Sequence, residues 1–223
     1  MTKAESHRAI AELLALLVHD LRNPVATIGA NLSFVRESSP EDADVREALD
    51  DVETALADLA RGLDQLGWIG RWLGGAPALD AAPGDVRPVV RAAIHRVGKR
   101  VAVSLPDAPL EARAAGNALG RLVELLVRNS LAFADEDSIE VAARAEGEHV
   151  VIEVKDGGRA IAEDLAPAAF TMEGQSALKG RADGRYSRAA GLLAARALAD
   201  TLSAELTAGG TDGAATFRVL LER

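Results

Sequence analysis

The sequence contains no cysteine, and it has neither a long apolar run nor a long basic run. Without cysteine, disulfides and thiolate metal sites are both impossible. The four histidines lie far apart and show no spacing typical of metal ligands; they are His7, His19, His95 and His149. The net charge is −9 and the sequence has no Lys/Arg stripe, which argues against nucleic-acid binding, because such binding needs cations that neutralise phosphates.

The N-terminal stretch is too polar for a targeting or membrane segment. Residues 1–23 read MTKAESHRAIAELLALLVHDLRN, in which a His-Asp pair interrupts the apolar residues early. A signal peptide or a membrane span needs a longer uninterrupted apolar run. We therefore expect a cytoplasmic protein with no membrane span and no sensor domain of its own.

Aliphatic residues compensate for the scarcity of aromatic ones. Apolar residues make up 48% of the 223-residue chain, but aromatic residues only 3%. Ala, Leu and Val must therefore provide most of the packing, which is typical of closely packed helices. The length suffices for one large domain or two modest ones.

Two segments near the N-terminus carry apolar residues at alternating steps of four and three. The first run is Leu14, Val18, Leu21, Val25, Ile28, Leu32 and Val35, and the second is Leu49, Val52, Leu56, Leu59, Leu63, Leu66 and Leu73. Gly70 occupies one position of the second run where an apolar residue is expected. This spacing is typical of a coiled coil or a four-helix bundle.

A helix stop and a new helix start separate the two segments. Ser39 can cap a helix, Pro40 suits a first helical turn, and Glu41 and Asp42 favour the positive end of a helix. The sequence therefore predicts an antiparallel hairpin of residues 5–37 and 41–73. One hairpin cannot cover both sides of its apolar seam, so we expect a homodimer that forms a four-helix bundle.

The chain after the hairpin mixes helical and strand patterns. Residues 74–85 have the composition of a Gly/Pro/Ala linker. Helices are predicted at 86–97, 115–134 and 192–204, and strands at 100–106, in a hairpin over 138–156 and in a pair over 209–222. This order predicts an α+β sandwich with helices on one face of a mixed sheet. The domains would span residues 1–75 and 76–223.

A polar motif lies within the first apolar run, at residues 16–28, LLVHDLRNPVATI. His19 directly follows a seam residue, so its ring can flank the seam and reach solvent. A neutral imidazole is nucleophilic near pH 7, and the carboxylate of Asp20 can hold one ring nitrogen protonated while the other attacks. Asn23 lies one helical turn further on the same face, and Pro24 removes a backbone donor and can kink the helix.

With His19, Asp20, Asn23 and Pro24 at these offsets, the segment resembles the phosphoacceptor helix of the histidine kinase family. The resemblance implies a dimeric hairpin in which His19 accepts a phosphoryl group. It also implies a response-regulator receiver domain as the partner, with Asp20 and Asn23 assisting His19. A polar residue beside a coiled-coil core, with no chemical role, is the simpler interpretation of a lone histidine.

The second half of the chain resembles the ATP-binding domain of the same family. VELLVRNSLAFA is similar to its asparagine helix, and the resemblance gives Asn129 the role of coordinating Mg²⁺. VIEVKDGGRAI is similar to its first glycine box, in which Asp156 would accept from the adenine amino group beside Gly158. RAAGLLAARAL is similar to the second glycine box, with Gly191 at its last glycine. The Asp156–Gly158 segment could equally be a simple turn after a strand.

Several residues depart from the family pattern in this nucleotide site. The other amide of the asparagine helix would fall at Leu125, and the neighbouring Glu124 points about 100° away around the helix. The remaining departures are Ala132 in place of a basic residue, and Ala160, Arg188 and Ala189 in place of glycines. Added Cβ atoms hinder close approach of the backbone to phosphates, so these departures predict an eroded ATP site.

A basic stretch follows the first glycine box. Lys179, Arg181, Arg185 and Arg188 could hold phosphates electrostatically, or they could belong to a solvated loop. Three functions therefore stay open. The chain could be a histidine phosphotransferase, an ATP-dependent histidine kinase with a divergent pocket, or a non-catalytic scaffold for response regulators.

Overall fold

The computed structural model describes residues 3–38, 43–158, 161, 166–178, 191–211 and 213–223. It divides into two compact units, Met1–Gly75 and Ala76–Arg223. The helix signals predicted at Ser39, Pro40, Glu41 and Asp42 lie outside the described residues. In the described part of the chain, every helix is too short or too polar to cross a membrane.

The first unit is a hairpin of two long helices, α1 (Lys3–Ser38) and α2 (Ala43–Leu73). Alternate positions of the apolar seam face the other helix of the hairpin. Val18, Leu49 and Leu63 are buried there, each at most 8% exposed. Six other positions of the seam are between 36% and 50% exposed; they are Leu21, Ile28, Val35, Val52, Leu59 and Leu66. The remaining five are half-buried, namely Leu14, Val25, Leu32, Leu56 and Leu73. The hairpin therefore covers only part of its seam.

Gly70 accounts for the gap in the apolar pattern of α2. A Cβ atom at this position would lie 3.3 Å from Cβ of Leu14 and 3.6 Å from the carbonyl oxygen of Ala11. The shorter separation is tighter than ordinary van der Waals contact, so the glycine allows α1 and α2 to approach each other closely.

Pro24 does not interrupt α1, which runs as one helix to Ser38. A proline nitrogen carries no hydrogen, so the carbonyl of Asp20 loses its usual helical donor at this position. One turn further, Thr27 Oγ1 donates to the carbonyl oxygen of Asn23 at 3.0 Å. Such a side-chain bond is common in threonines that lie inside helices.

In its described residues, the second unit combines four helices with seven strands. The helices are α3 (Arg87–Val97), α4 (Gly116–Leu131), α5 (Met172–Leu178) and α6 (Gly191–Thr201). The strands are β1 (Pro83–Asp85), β2 (Ala102–Ser104), β3 (Glu111–Arg113), β4 (Glu140–Glu146), β5 (His149–Asp156), β6 (Glu205–Thr211) and β7 (Ala214–Glu222). Short 3₁₀ turns occupy Glu136–Ser138 and Ala168–Phe170.

The main sheet has the strand order β2-β4-β5-β7-β6. The pairing of β2 with β4 is parallel and the other three pairings of these strands are antiparallel, so the sheet is mixed, as the sequence predicts. In β5, alternate residues on one face are buried beneath the helices, namely Val150, Ile152 and Val154. The same alternation places Asp156, which is 1% exposed, on this face at the end of the strand.

Two short strands correct the predicted boundaries. β1 lies inside the stretch 74–85 that the sequence predicts to be a linker, and it pairs antiparallel with β3, Gly84 opposite Ala112. Three-residue strands are too short to show an alternating pattern. Ala112 is 1% exposed, because β3 lies against β5 and β7. The last strand pair also begins earlier than predicted, at Glu205.

Candidate functional site

His19 is positioned by α1 with its ring in solvent. The preceding residue, Val18, is buried against α2, which turns the next side chain outward. The side chain of His19 is 78% exposed, and its Nδ1 lies 3.2 Å from Oδ1 of Asp20. This contact engages Nδ1 and leaves Nε2 as the outward nitrogen. A partner can therefore approach Nε2 without rearrangement of the helix.

Asn23 is exposed on α1 one turn beyond His19. Positions four apart on a helix are neighbours on one face, so its amide is within reach of a group attached to the ring. Arg22 donates to Oδ1 of Asp64 at 2.9 Å, which ties α1 to α2 at this level. The helical turn with His19 and Asn23 thus carries exposed polar side chains, and the Arg22–Asp64 pair holds this part of α1 against α2.

The nucleotide-site residues predicted from the sequence all lie in the second unit. Asn129 is two residues from the end of α4 and is 7% exposed. Its Oδ1 is buried and has no hydrogen-bond partner among the described residues. A buried polar oxygen without a partner costs about 1–3 kcal/mol, so such atoms are rare in native folds and are often found where a ligand or ion binds.

Asp156 and Gly158 form a closed turn at the end of β5. Oδ1 of Asp156 accepts from the backbone N–H of Gly158 at 2.9 Å, and the carbonyl of Gly158 accepts from Gly213 at 3.1 Å. Gly157 donates to Oγ of Ser138 at 3.3 Å. A Cβ atom on Gly157 would lie 2.9 Å from Cβ of Ser138, so this position requires glycine. No sequence signal pointed to Ser138, since it lies 19 residues before Gly157.

Gly191 is the first residue of α6 and is buried. The other predicted positions around it fall outside the described residues; they are Ala160, Lys179, Arg181, Arg185, Arg188 and Ala189. The described part of the site therefore comprises Asn129, the Asp156–Gly158 turn and the start of α6.

Two departures from the family pattern can be located on α4. Leu125 is half-buried and offers no polar atom. Glu124 is buried and forms ion pairs with Arg96, Arg121 and Arg128. Its carboxylate is therefore committed to the contact between α3 and α4. A third departure, Ala132, is the C-cap residue of α4.

The donor set of the described residues fits a nucleotide and its cation. An amide oxygen without a partner is a suitable ligand for Mg²⁺, and a buried carboxylate at a strand end can accept from an exocyclic amine. Of the two amides in the family pattern, only Asn129 would be able to hold a cation here, since Leu125 offers no ligand atom. The described residues hold no group of three or more acidic, His or Cys side chains that could bind a metal ion.

Two family models match the chain. Residues 9–69 match the model of the His Kinase A (phospho-acceptor) domain. Residues 114–223 match the model described as histidine kinase-, DNA gyrase B- and HSP90-like ATPase. A curated relative, the sensor protein KdpD of Clostridium acetobutylicum, is 25% identical over 174 residues, which is 74% of this chain. The match spans only 19% of KdpD.

Solved structures share the fold. Full-length ShkA in complex with AMPPNP aligns with a TM-score of 0.67 at 20% identity, over 94% of this chain and 45% of ShkA. The Acinetobacter baumannii histidine kinase AdeS aligns with a TM-score of 0.57 at 14% identity, over 92% of this chain and 97% of the AdeS chain. At these identities the alignments show the fold alone, and they confirm the predicted class of two helices followed by an α/β sheet domain.

The two family models cover the two units separately. Domains of these types support signalling by histidine phosphotransfer in general. The ATPase-type model also supports ATP binding by the second unit. With both domain types present in one chain, the protein belongs to the two-component histidine kinase family.

Proposed function

We propose that the chain transfers a phosphoryl group through His19 to or from the aspartate of a response regulator, as a histidine phosphotransferase with a weakened ATP site. One observation carries the proposal. The His19 ring is 78% exposed, and its Nδ1 is engaged by Asp20 at 3.2 Å, so Nε2 is the nitrogen available to a partner.

The transfer needs one nucleophile and one leaving group. The lone pair of Nε2 forms a bond to phosphorus, while the bond from phosphorus to the carboxylate oxygen of a receiver aspartyl phosphate breaks. The aspartate leaves as a carboxylate and needs no proton. The ring becomes a phosphorylated imidazolium with its proton on Nδ1, and the carboxylate of Asp20 stabilises that charge or accepts the proton. The reverse sequence returns the group to the receiver domain.

A homodimer is part of this proposal. Six apolar side chains, three on each helix at intervals of seven residues, are 36–50% exposed on the hairpin. Contiguous apolar surface of this kind is rare on a soluble monomer. A second hairpin with the same repeat covers it in a four-helix bundle, and both copies of His19 then remain outside the core.

Departures in the nucleotide site favour the phosphotransferase over a kinase. ATP with Mg²⁺ would supply the γ-phosphoryl group, and catalysis of its transfer depends mainly on positioning and charge stabilisation. Leu125 offers no ligand to a cation, and the glycines that approach phosphates are replaced at Ala160 and Ala189. Nucleotide binding is therefore weak in this proposal, with Asp156 retaining recognition of the adenine ring.

An ATP-dependent histidine kinase is the second candidate, and one observation favours it. Oδ1 of Asn129 is buried without a partner among the described residues. A bound cation or hydrogen-bond donor would give this oxygen a partner. The turn after β5 is also closed by the hydrogen bond from Gly158 N–H to Asp156 Oδ1. In this case His19 has the same role, and Asn129, Asp156, Gly158 and Gly191 hold the nucleotide. A scaffold without phosphoryl transfer is a third candidate, which the His19–Asp20 contact disfavours.

A labelling experiment separates these functions. The whole chain is incubated with a phosphorylated receiver domain and, separately, with labelled ATP and Mg²⁺. The proposal predicts an acid-labile label from the receiver domain, loss of this label in His19→Ala, and retention in the control His7→Ala on the same helix. Labelling from ATP within minutes would replace the phosphotransferase with the kinase. Labelling from neither donor would leave only the scaffold, and label in His19→Ala would refute the role of His19.

A further inference from the structure

Three arginines surround one buried carboxylate between α3 and α4. The carboxylate belongs to Glu124, whose side chain is 6% exposed. Its oxygens lie 3.3 Å from Nε of Arg96, 3.5 Å from Nη1 of Arg121 and 3.1 Å from Nε of Arg128. Three positive charges thus meet one negative charge, so this group of four side chains is positive overall.

The positive side of this group faces solvent. The side chains of Arg96 and Arg121 are 44% and 37% exposed, whereas the Glu124 carboxylate beneath them is nearly inaccessible. An approaching ion therefore meets the guanidinium groups first. This surface is positive in a chain whose net charge is −9, so it is not a consequence of the general composition.

A cleft of about 300 Å³ opens beside the two exposed arginines. We call it the α3–α4 cleft; its lining residues are Val89, Ala92, Arg96, Gly116, Asn117 and Arg121. α3 contributes Val89, Ala92 and Arg96, and α4 contributes the other three residues, so the lining combines apolar side chains with two guanidinium groups and an amide. A volume of about 300 Å³ is at the lower end for small-molecule sites, so the cleft suits a small molecule rather than a protein segment.

The guanidinium of Arg96 is held in place against α4. Its Nη2 would lie 2.8 Å from a Cβ atom on Gly120, so the absence of a side chain there makes room for it. Nη2 of Arg128 donates to the backbone carbonyl of Arg96 at 3.3 Å, which fixes the end of α3 as well. A cation that is already ordered loses little conformational entropy when it binds an anion.

We propose that the α3–α4 cleft binds a small phosphate-bearing ligand. Arg96 and Arg121 donate to the phosphate oxygens, Asn117 supplies a further amide, and Val89 and Ala92 contact the apolar part. The site is separate from the candidate nucleotide site. Asn117 lies in the first turn of α4 and Asn129 in its last, about 18 Å apart along the helix axis.

Calorimetric titration with pyrophosphate tests this site on the whole chain without nucleotide. The expected result is saturable binding with one ligand per chain, which weakens as salt increases. Each of Arg96→Gln and Arg121→Gln removes a charge-assisted contact and lowers the affinity about tenfold. Arg91→Gln is the matched control, because Arg91 is an exposed arginine of α3 outside the cleft; this variant binds as the unmutated chain does.

A further variant separates this site from the nucleotide site. Asn129→Ala removes the amide that would support the cation and phosphates of the nucleotide site, and it is expected to leave pyrophosphate binding unchanged. Loss of binding in Asn129→Ala would assign the pyrophosphate to the nucleotide site and overturn the proposal. So would the lack of saturable binding, or equal affinity in Arg121→Gln and the unmutated chain. Arg121→Gln decides the outcome if Arg96→Gln does not fold, since the contact of Arg121 with Glu124 is the longest of the three.

Discussion

Asp85 and Arg87 form a two-pronged ion pair at the junction of β1 and α3. Nε of Arg87 lies 3.0 Å from Oδ1 of Asp85, and Nη2 lies 2.7 Å from Oδ2. Oδ1 also accepts from the backbone N–H groups of Arg87 and Leu110. The hydrogen bond from the Arg87 side chain is the main cause that holds the pKa of Asp85 well below its usual range.

The ion pair between Asp85 and Arg87 makes the stability of the fold depend on pH in the acid range. A carboxyl whose pKa is lower in the folded state contributes stability above its unfolded pKa of about 3.9, and this contribution declines as the pH falls further. Asp85→Asn should therefore be less stable than the unmutated chain at pH 7, and the difference should shrink below about pH 4. Urea unfolding at pH 7 and pH 3 measures the difference in free energy of unfolding between the variant and the unmutated chain. Asp80→Asn, an exposed neighbour, is the control, and a difference that does not change with pH would contradict the assignment.

The exposed positions of the hairpin seam should hold two copies of the chain together. Leu59→Asp places a charge in an apolar interface without a partner, which costs several kcal/mol, and should convert the dimer to a monomer. Leu21→Asp should do the same from α1. Light scattering after gel filtration measures the mass. Leu16→Asp is the control, because Leu16 is exposed but lies outside the seven-residue repeat, and it should remain dimeric. A monodisperse monomer of the unmutated chain at micromolar concentration would contradict the bundle.

The sequence predicted both long helices because alternating steps of four and three residues, kept over several turns, match the period of a helix and not that of a strand. It could not decide which seam residues pack inside the hairpin. Leu59 and Leu63 belong to the same run, yet Leu59 is 50% exposed and Leu63 only 3%. Their spacing is equally compatible with contact inside one chain and contact with a second chain.

Other features escaped prediction because they depend on residues that are distant in sequence. The arginine cluster joins Arg96 of α3 to Glu124 of α4, which are 28 residues apart, and neither residue alone indicates the pair. The strands β1 and β3 carry too few residues for an alternating pattern. The motif around His19 was predictable because all its members lie close together on a single helix.

Ser203 adopts a backbone conformation that favours glycine. Its φ is +54°, and it follows the C-terminal turn of α6, where Ala204 N–H donates to the carbonyl of Ala199 at 2.9 Å. A left-handed residue with a Cβ atom costs about 1–2 kcal/mol, while glycine loses about 0.5–1 kcal/mol more entropy on folding. Ser203→Gly should therefore stabilise the second unit by about 0.5 kcal/mol. Denaturant unfolding measures the change, with Ser203→Ala as a control that should give no gain.

Asp20 should control the rate of transfer and not the fold. Its carboxylate lies 3.2 Å from Nδ1 of His19, and both side chains are at least 75% exposed. Asp20→Asn keeps the size of the side chain but cannot accept a proton or stabilise an imidazolium, so transfer should slow by about 100-fold or more. The rate of phosphoryl transfer from a receiver domain measures this, and thermal unfolding should be unchanged. Glu12→Gln, an exposed acid on the same helix, serves as the control, and equal rates in Asp20→Asn and the unmutated chain would remove Asp20 from the chemistry.

The nucleotide site should bind ATP poorly, and the weak binding should result from the few residues that depart from the family pattern. Transfer from ATP depends on holding the γ-phosphate and Mg²⁺, and the chain lacks a second amide beside Asn129 because Leu125 takes that place. Calorimetry with ATP and Mg²⁺ should show weak binding or none, and labelling of His19 from ATP should be very slow.

Leu125→Asn combined with Ala160→Gly and Ala189→Gly should strengthen that binding, since an amide oxygen joins Oδ1 of Asn129 and two Cβ atoms are removed from the path of the phosphates. Asn129→Ala within this triple variant should abolish the gain, because the cation then loses the oxygen that is buried without a partner among the described residues. If the unmutated chain binds Mg-ATP at low micromolar concentration and labels itself within minutes, the substitutions at these positions do not weaken the site, and His19 is then the acceptor of a working kinase.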